Sequence, residues 1–470
     1  MRPASLRALA LAVGILTLAA CAGRRPLDPR TAVYPPPRLP EIEVQGGRLD
    51  PGGAEWFWVE DHDVPLIRLY LAVRGGEVYD PPELAGLARV ASLAWRTGGA
   101  GDLGPEEFDR ALENRGMDLS VHLGRDKGWI TLTVLPEDLD RGLDLLAKLL
   151  WEPALRADRV DWAKAQVAEA LRREADEPQS LGFREMRRAL FRGHPRGRVP
   201  TEETVGRIGR DDLVALHRRL VSEGTWALGA VGDFEPEALR ERLAARFGRL
   251  PGRGGAFPLL TPPAEPQPTV VIVPKALPQT TVIWARIGPE RLSEDFAALE
   301  VCDHVLGSGG FTARLVREIR SNRGLAYSVG SFYQALPRFG VLGAYGLTKT
   351  ESAGDVVDLM RAEIRNLADG ITAAEVEEAR RSLVTRHVFR YDDPANLVRD
   401  RLENLLDGLP LDLGERYPDE VAAVTLEAAR RAARRHLDPA RGVWVLVGDL
   451  DPADPRWGRM GAVEVVTPGE

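Results

Sequence analysis

Residues 64–73, "VPLIRLYLAV", alternate β-branched and apolar positions in the manner of a strand. Helical periodicity then takes over at 84–95 and again at 105–114. Two further strands are predicted at 118–123 and 129–135, then long helices at 138–150 and 157–175. A helix near 211–220 and a strand at 225–233, "TWALGAVGD", close this run. The stretch "LPGRGGAFPLLTPPAEPQP" that follows another helix is a Pro/Gly-rich break.

Beyond the break the same order recurs. A strand is predicted at 280–288, a helix with a glycine stop in "LSEDFAALEVCDHVLGSGG", and strands at 326–334 and 340–346. Long helices are predicted at 351–368, 373–389 and 394–406, and a last helix reaches His436 before "GVWVLVGDLDP". The two "VGD" endings, 231–233 and 447–449, each follow a helix carrying a histidine, His217 and His436. An internal duplication accounts for this. The expected fold is α+β: two homologous domains, 45–250 and 269–465, joined by a linker at 251–268. Each is expected to be a mainly antiparallel sheet with helices packed on one side.

Composition narrows the setting. The chain of 470 residues is 44% hydrophobic and 28% charged, which is ordinary for a globular protein. A net charge of -8 gives no reason to expect a nucleic-acid partner. Residues 1–20 combine Arg2 and Arg7 with an apolar run ending "LAAC". This pattern resembles a bacterial lipoprotein signal, with Cys21 as the lipidated N-terminus. Loss of Arg2 and Arg7 takes the charge from -8 to -10. Ala22, rather than Asp, follows the cysteine, so the expected location is the periplasmic side of the outer membrane. Residues 21–44, rich in Pro and Arg, are expected to be a tether between lipid and fold. The other cysteine is Cys302, which leaves no pair for a disulfide in the mature chain.

Three stretches, in this order and spacing, carry a family resemblance: "GLARVASLAWRTGG", "HPRGRVPTEETVGRIGRDDL" and "GSGGFTARLVREIRSNRGLAYSVGSF". Over nearly all of 45–460 the chain resembles the pitrilysin/insulinase peptidases, the inverted zincins, together with the mitochondrial-type processing peptidases. The resemblance implies the fold of that group, also seen in the metalloenzyme LuxS. Active members carry H-x-x-E-H on the first helix; its histidines bind zinc and its glutamate polarises the attacking water. Laid on this chain, the motif falls on Arg89, Ser92 and Leu93. A guanidinium and an alkyl group do not ligate zinc, and a hydroxyl does not take a proton from water at neutral pH. The third ligand, a glutamate 77 positions on, counts from Leu93 to Ala170. Glu169 is one residue away, which on a helix is a turn of about 100°.

Seven histidines are present, and no two stand at a helical-pair spacing. His62 between Asp61 and Asp63 reads as a solvated turn, and Cys302-Asp303-His304 as part of a buried helix face. Gly307, Gly309 and Gly310 read as a tight helix exit, Arg314 as an internal ion pair or cap, and Arg323-Gly324 as a turn.

The resemblance also implies an arginine and a tyrosine seven residues apart that steady the substrate and the developing oxyanion. Arg320 and Tyr327 stand at that spacing. The expected protein is a non-catalytic subunit of a heterodimeric zinc metallopeptidase, without a cofactor of its own. Zinc is expected in a homologous partner, with a peptide as substrate and the membrane reached through the N-terminal lipid. The alternatives are a non-enzymatic peptide-binding or scaffold homologue in an envelope complex, and an independent peptidase with an unrecognised metal site.

Overall fold

A computed structural model describes residues 42–50 and 53–467. Cys21, the signal and nearly all of the tether lie outside the described residues. Two six-stranded sheets organise the chain. The first contains β1 (Gln45–Arg48), β2 (Glu55–Glu60), β3 (Ile67–Arg74), β4 (Asp118–Leu123), β5 (Lys127–Val134) and β6 (Trp226–Gly232). Its order is β1-β2-β6-β3-β5-β4. The second contains β7 (Thr269–Pro274), β8 (Gln279–Gly288), β9 (Ala326–Ala335), β10 (Gly340–Lys349), β11 (Val443–Gly448) and β12 (Ala462–Val465). Its order is β12-β7-β11-β8-β10-β9. The five strands β2-β6-β3-β5-β4 and β7-β11-β8-β10-β9 follow one topology, so the duplication legible in the sequence is a duplication of the sheet. Pairing is antiparallel except at β2–β6, β7–β11 and β7–β12.

Strand β5 shows why the period-two reading works. Gly128, Ile130, Leu132 and Val134 are buried and the residues between them are half-buried. The central strands β6 and β11 are buried throughout. A strand buried on both faces reads as a continuous apolar run. Strands β2 and β7 were not expected: β2 is a short edge-side run whose parallel partner β6 lies far along the chain, and β7 is a nearly unbroken "TVVIV".

Five helices position the features discussed below: α1 (Leu87–Thr97), α2 (Ala157–Asp176), α3 (Pro178–Leu190), α4 (Phe296–Asp303) and α5 (Pro394–Asp407). Helices of each half fill one face of their own sheet and form the two largest cores. The opposite faces are covered by an exchange. Helix α5 of the second half lays Ala395, Val398, Leu402 and Leu406 on Phe57, Tyr70, Ala72, Ala227 and Val231 of the first sheet. Helix α3 of the first half lays Leu181, Met186, Ala189 and Leu190 on Val271, Ile283, Ala285 and Val445 of the second.

Glycines permit the close approach. A Cβ at Gly229 in β6 would come within 2.6 Å of Val398 Cγ1 and 2.8 Å of Leu402 Cδ1. Asp393 caps α5 by accepting from the Ala395 N–H, and it accepts two bonds from Arg68 of β3 at 3.0 and 2.8 Å. At the far end Lys127 pairs with Asp407 at 2.8 Å. Helix α5 is therefore clamped to the other half at both ends.

Candidate functional site

Helix α1 begins after Gly86, whose φ of 101° suits glycine. The buried Asp80 carboxylate accepts from the N–H groups of Gly86 and Ala88 at 3.0 and 3.2 Å. Burial raises Asp80 to about 7, against the pull of these backbone bonds. Leu87, Ala88, Val90, Ala91, Ala94 and Trp95 form the buried stripe that seats the helix.

The three motif positions on α1 have each found other work. Arg89 donates from Nε to Glu77 Oε1 at 2.8 Å and from Nη1 to Glu174 Oε1 at 3.1 Å. Burial opposes its charge, but the two carboxylates outweigh that and raise its pKa. Ser92 Oγ donates to Ala88 O at 2.9 Å and accepts from Leu123 N at 2.7 Å, tying α1 to the edge strand β4. Leu93 packs against the core.

Counting by fixed spacing leads to Ala170, half-buried on α2. The residue of α2 that actually reaches α1 is Glu174, one turn further along. Glu169 points outward and pairs with Arg172. Among the described residues no group of three His, Cys, Asp or Glu stands close enough to hold a metal ion. Zinc does not fit this donor set: where two imidazoles would face a carboxylate, a guanidinium faces two carboxylates.

His304 is buried, and its Nδ1 has no hydrogen-bond partner among the described residues. His62 is exposed and bonded to Asp233 at 2.7 Å, and this hydrogen bond raises its pKa. Cys302 is buried on α4 and donates from Sγ to Ala429 O at 3.3 Å. Burial, with Asp303 and Asp295 nearby, pushes the thiol up to about 12, so it is inert at neutral pH. Aligning the two duplicated runs by sequence places Glu300 and Asp303 of α4, and His304 directly after it, where Arg89, Ser92 and Leu93 stand in α1. Glu300 accepts from Tyr417 Oη at 3.0 Å and is raised to about 7, mainly by burial and then by Asp303. Arg314 forms a two-bond pair with Glu375 and also donates to Gly370 O, so it joins one helix end to the next helix start.

Arg320 and Tyr327 come together at the surface of the second half. Arg320 lies in a wide, π-helical turn, Val316–Asn322, of a kind frequent at functional sites. The chain then reverses at Gly324, φ 63°, into β9, the edge strand that carries Tyr327. The Arg320 guanidinium carbon sits 5.1 Å from the centre of the Tyr327 ring and 5.2 Å from that of Phe311. Tyr327 is 79% exposed and Phe311 73%. Arg320 makes no ion pair among the described residues, so its charge is held between two aromatic faces and open to solvent. Phe311 was not singled out in the sequence. Its one signal was an aromatic residue directly after a glycine pair, in a segment already read as a turn.

The family model for insulinase, peptidase family M16, matches residues 59–202, and the model for the peptidase M16 inactive domain matches 207–383. The chain belongs to the M16 family. Among its M16 relatives, the non-peptidase homolog YmxG of Helicobacter pylori is 24% identical over 81% of this chain and 89% of its own. An uncharacterized zinc protease of Mycobacterium tuberculosis is 28% identical over 72% of this chain and 79% of its own. The solved M16 inactive domain of Pseudomonas fluorescens superposes with a TM-score of 0.78 at 24% identity, covering 87% of this chain and 98% of that one. A chain of complex III2 from Candida albicans shares the fold at TM-score 0.72 and 15% identity, over 90% and 100% of the two chains. The chain is an M16 homologue of the non-peptidase type.

Proposed function

We propose that this chain is the non-catalytic subunit of a two-chain M16 peptidase, paired with a homologue that carries H-x-x-E-H. Arg320 and Tyr327 then face the peptide bound at the partner's zinc. The observation that carries the reading is the exposed pair itself. A guanidinium on the π-helical turn and a phenol on the edge strand after it lie side by side, the guanidinium without an ion pair among the described residues, while Arg89 stands at the helix position where the resemblance puts a zinc ligand. The guanidinium would orient the substrate backbone, and the phenol would donate to the oxygen that gains charge as the amide is attacked. Zinc, held by the partner, supplies the activated water. The N-terminal signal pattern supports attachment by a lipid on Cys21 at the periplasmic face of the outer membrane.

In a complex reconstituted with such a homologue, Arg320→Ala and Tyr327→Phe each lower kcat by about 10²- to 10³-fold, the usual effect of losing one oxyanion donor. The complex itself stays intact by gel filtration. Unchanged turnover in the double variant would refute the reading. It would favour a scaffold that binds peptide or holds an envelope complex together, a role consistent with Arg320 packing on its own Phe311 and Tyr327.

A further inference from the structure

Beside α1 lies a cavity of about 290 Å³, near the lower end of the range for small-molecule pockets. Its apolar wall is Phe183, Met186, Phe191 and Phe332, and its polar wall is Arg125, Arg187 and Arg196. It shares Arg125, Arg196, Gln334 and Leu336 with a larger cavity of about 730 Å³ between the halves, which provides the way in.

Not every charge beside this cavity has a partner. Glu77 is engaged by Arg89 and, at 4.0 Å, by Arg125; Glu174 is engaged by Arg89; Asp126 is engaged by Arg196. Glu185, on the same helix as Arg187, pairs with Arg184 and Arg188. The Arg187 side chain has no hydrogen bond or ion pair among the described residues, and its Nε is buried without a partner, as is that of Arg196. Arg187 is thus the guanidinium of this cluster without a carboxylate of its own. Burial and the neighbouring Arg125 and Arg89 bring Arg187 down to about 10, at which it is still cationic at neutral pH. Arg187 is half-buried with its Nε shut off from solvent, and a guanidinium takes a carboxylate through two parallel bonds.

We infer that this cavity is a binding site for a monocarboxylate carried on an apolar or aromatic body, with Arg187 as the principal contact and Arg125 and Arg196 beside it. A carboxylate supplies the counter-charge that Arg187 lacks, and the phenylalanine wall accommodates one aromatic or branched side chain. The ligand is a free aromatic acid or the C-terminal residue of a peptide. This inference requires neither a partner subunit nor zinc.

The test uses the full chain alone, with calorimetry and thermal unfolding. The probes are 3-phenylpropanoate, 3-phenylpropanamide, and the tripeptide Gly-Gly-Phe as free acid and as amide. The acids bind and raise Tm; the amides do neither. Arg187→Met weakens acid binding by about ten- to a hundredfold, the loss of a charge-assisted bond. Tighter binding of the tripeptide acid identifies a chain end as the source, and tighter binding of 3-phenylpropanoate a free acid. Equal binding of acids and amides, no binding of either acid, or unchanged binding by Arg187→Met would overturn the inference. The comparison of acid with amide on the wild type decides it even where the variant does not fold.

Discussion

At the scale of single residues, Arg89 shows how a guanidinium fills the helix position that the family resemblance assigns to a zinc ligand. Arg89 sits between Glu77 and Glu174, with side chains only a fifth to a third exposed. Arg89→Ala leaves both carboxylates facing each other without a cation. It is expected to lower stability by about 1–3 kcal/mol, less than a fully buried pair would give because solvent reaches the site. Urea unfolding measures it, and a change within error would show that the triad is dispensable. Glu300 makes a pH-dependent counterpart. Its folded pKa, about 7, lies above the ordinary value of 4.5. The folded state therefore binds the proton more tightly, and this contribution is complete below about 4.5 and lost as pH rises through about 7. Glu300→Gln keeps an acceptor for Tyr417. It should match the wild type near pH 4.5 and exceed its Tm at pH 8; equal Tm values at both would contradict the assignment. That Arg89, Ser92 and Leu93 cannot ligate zinc follows from their chemistry alone, and their place in the motif follows from the resemblance. Glu174 was not, because a fixed count along the chain ignores which side chain of α2 turns toward α1. Arg187 was also invisible, since a missing partner is a fact of three dimensions.

At the scale of elements, periodicity located most helices and strands to within a few residues. It missed β2, β7 and α3, and these are the elements whose surroundings come from distant sequence. Helix α3 reads as a continuation of α2 until Pro178, and its buried face is defined by a sheet formed some hundred residues later. The exchange of α3 and α5 depends on small residues at the contact. Gly229→Val puts side-chain atoms where Val398 and Leu402 already lie, and destabilisation of about 1–3 kcal/mol is expected from overpacking. Asp393→Ala removes both the α5 cap and the partner of Arg68, and is expected to lower stability by about 1 kcal/mol. Thermal unfolding of the two variants reads both effects, and values indistinguishable from the wild type would mean that α5 is not held as described.

At the scale of the whole molecule, the duplication could be read from the repeated order of elements and the "VGD" endings, whereas the interlocking of the halves could not. A helix pattern states that one face is apolar, not which sheet that face will meet. Because α5 covers the first sheet and α3 the second, residues 45–268 made alone should expose Phe57, Tyr70 and Val231 and bind a hydrophobic dye. Co-expression with 269–467 should restore a soluble complex.

The central claim is that this M16 chain holds a guanidinium where its active relatives hold a metal. Zinc titration of the purified full chain, followed by calorimetry and by metal analysis after dialysis, tests it most directly. The account predicts no stoichiometric uptake and no peptide hydrolysis by the chain alone. One zinc retained per chain, lost on chelation together with a peptidase activity, would contradict it.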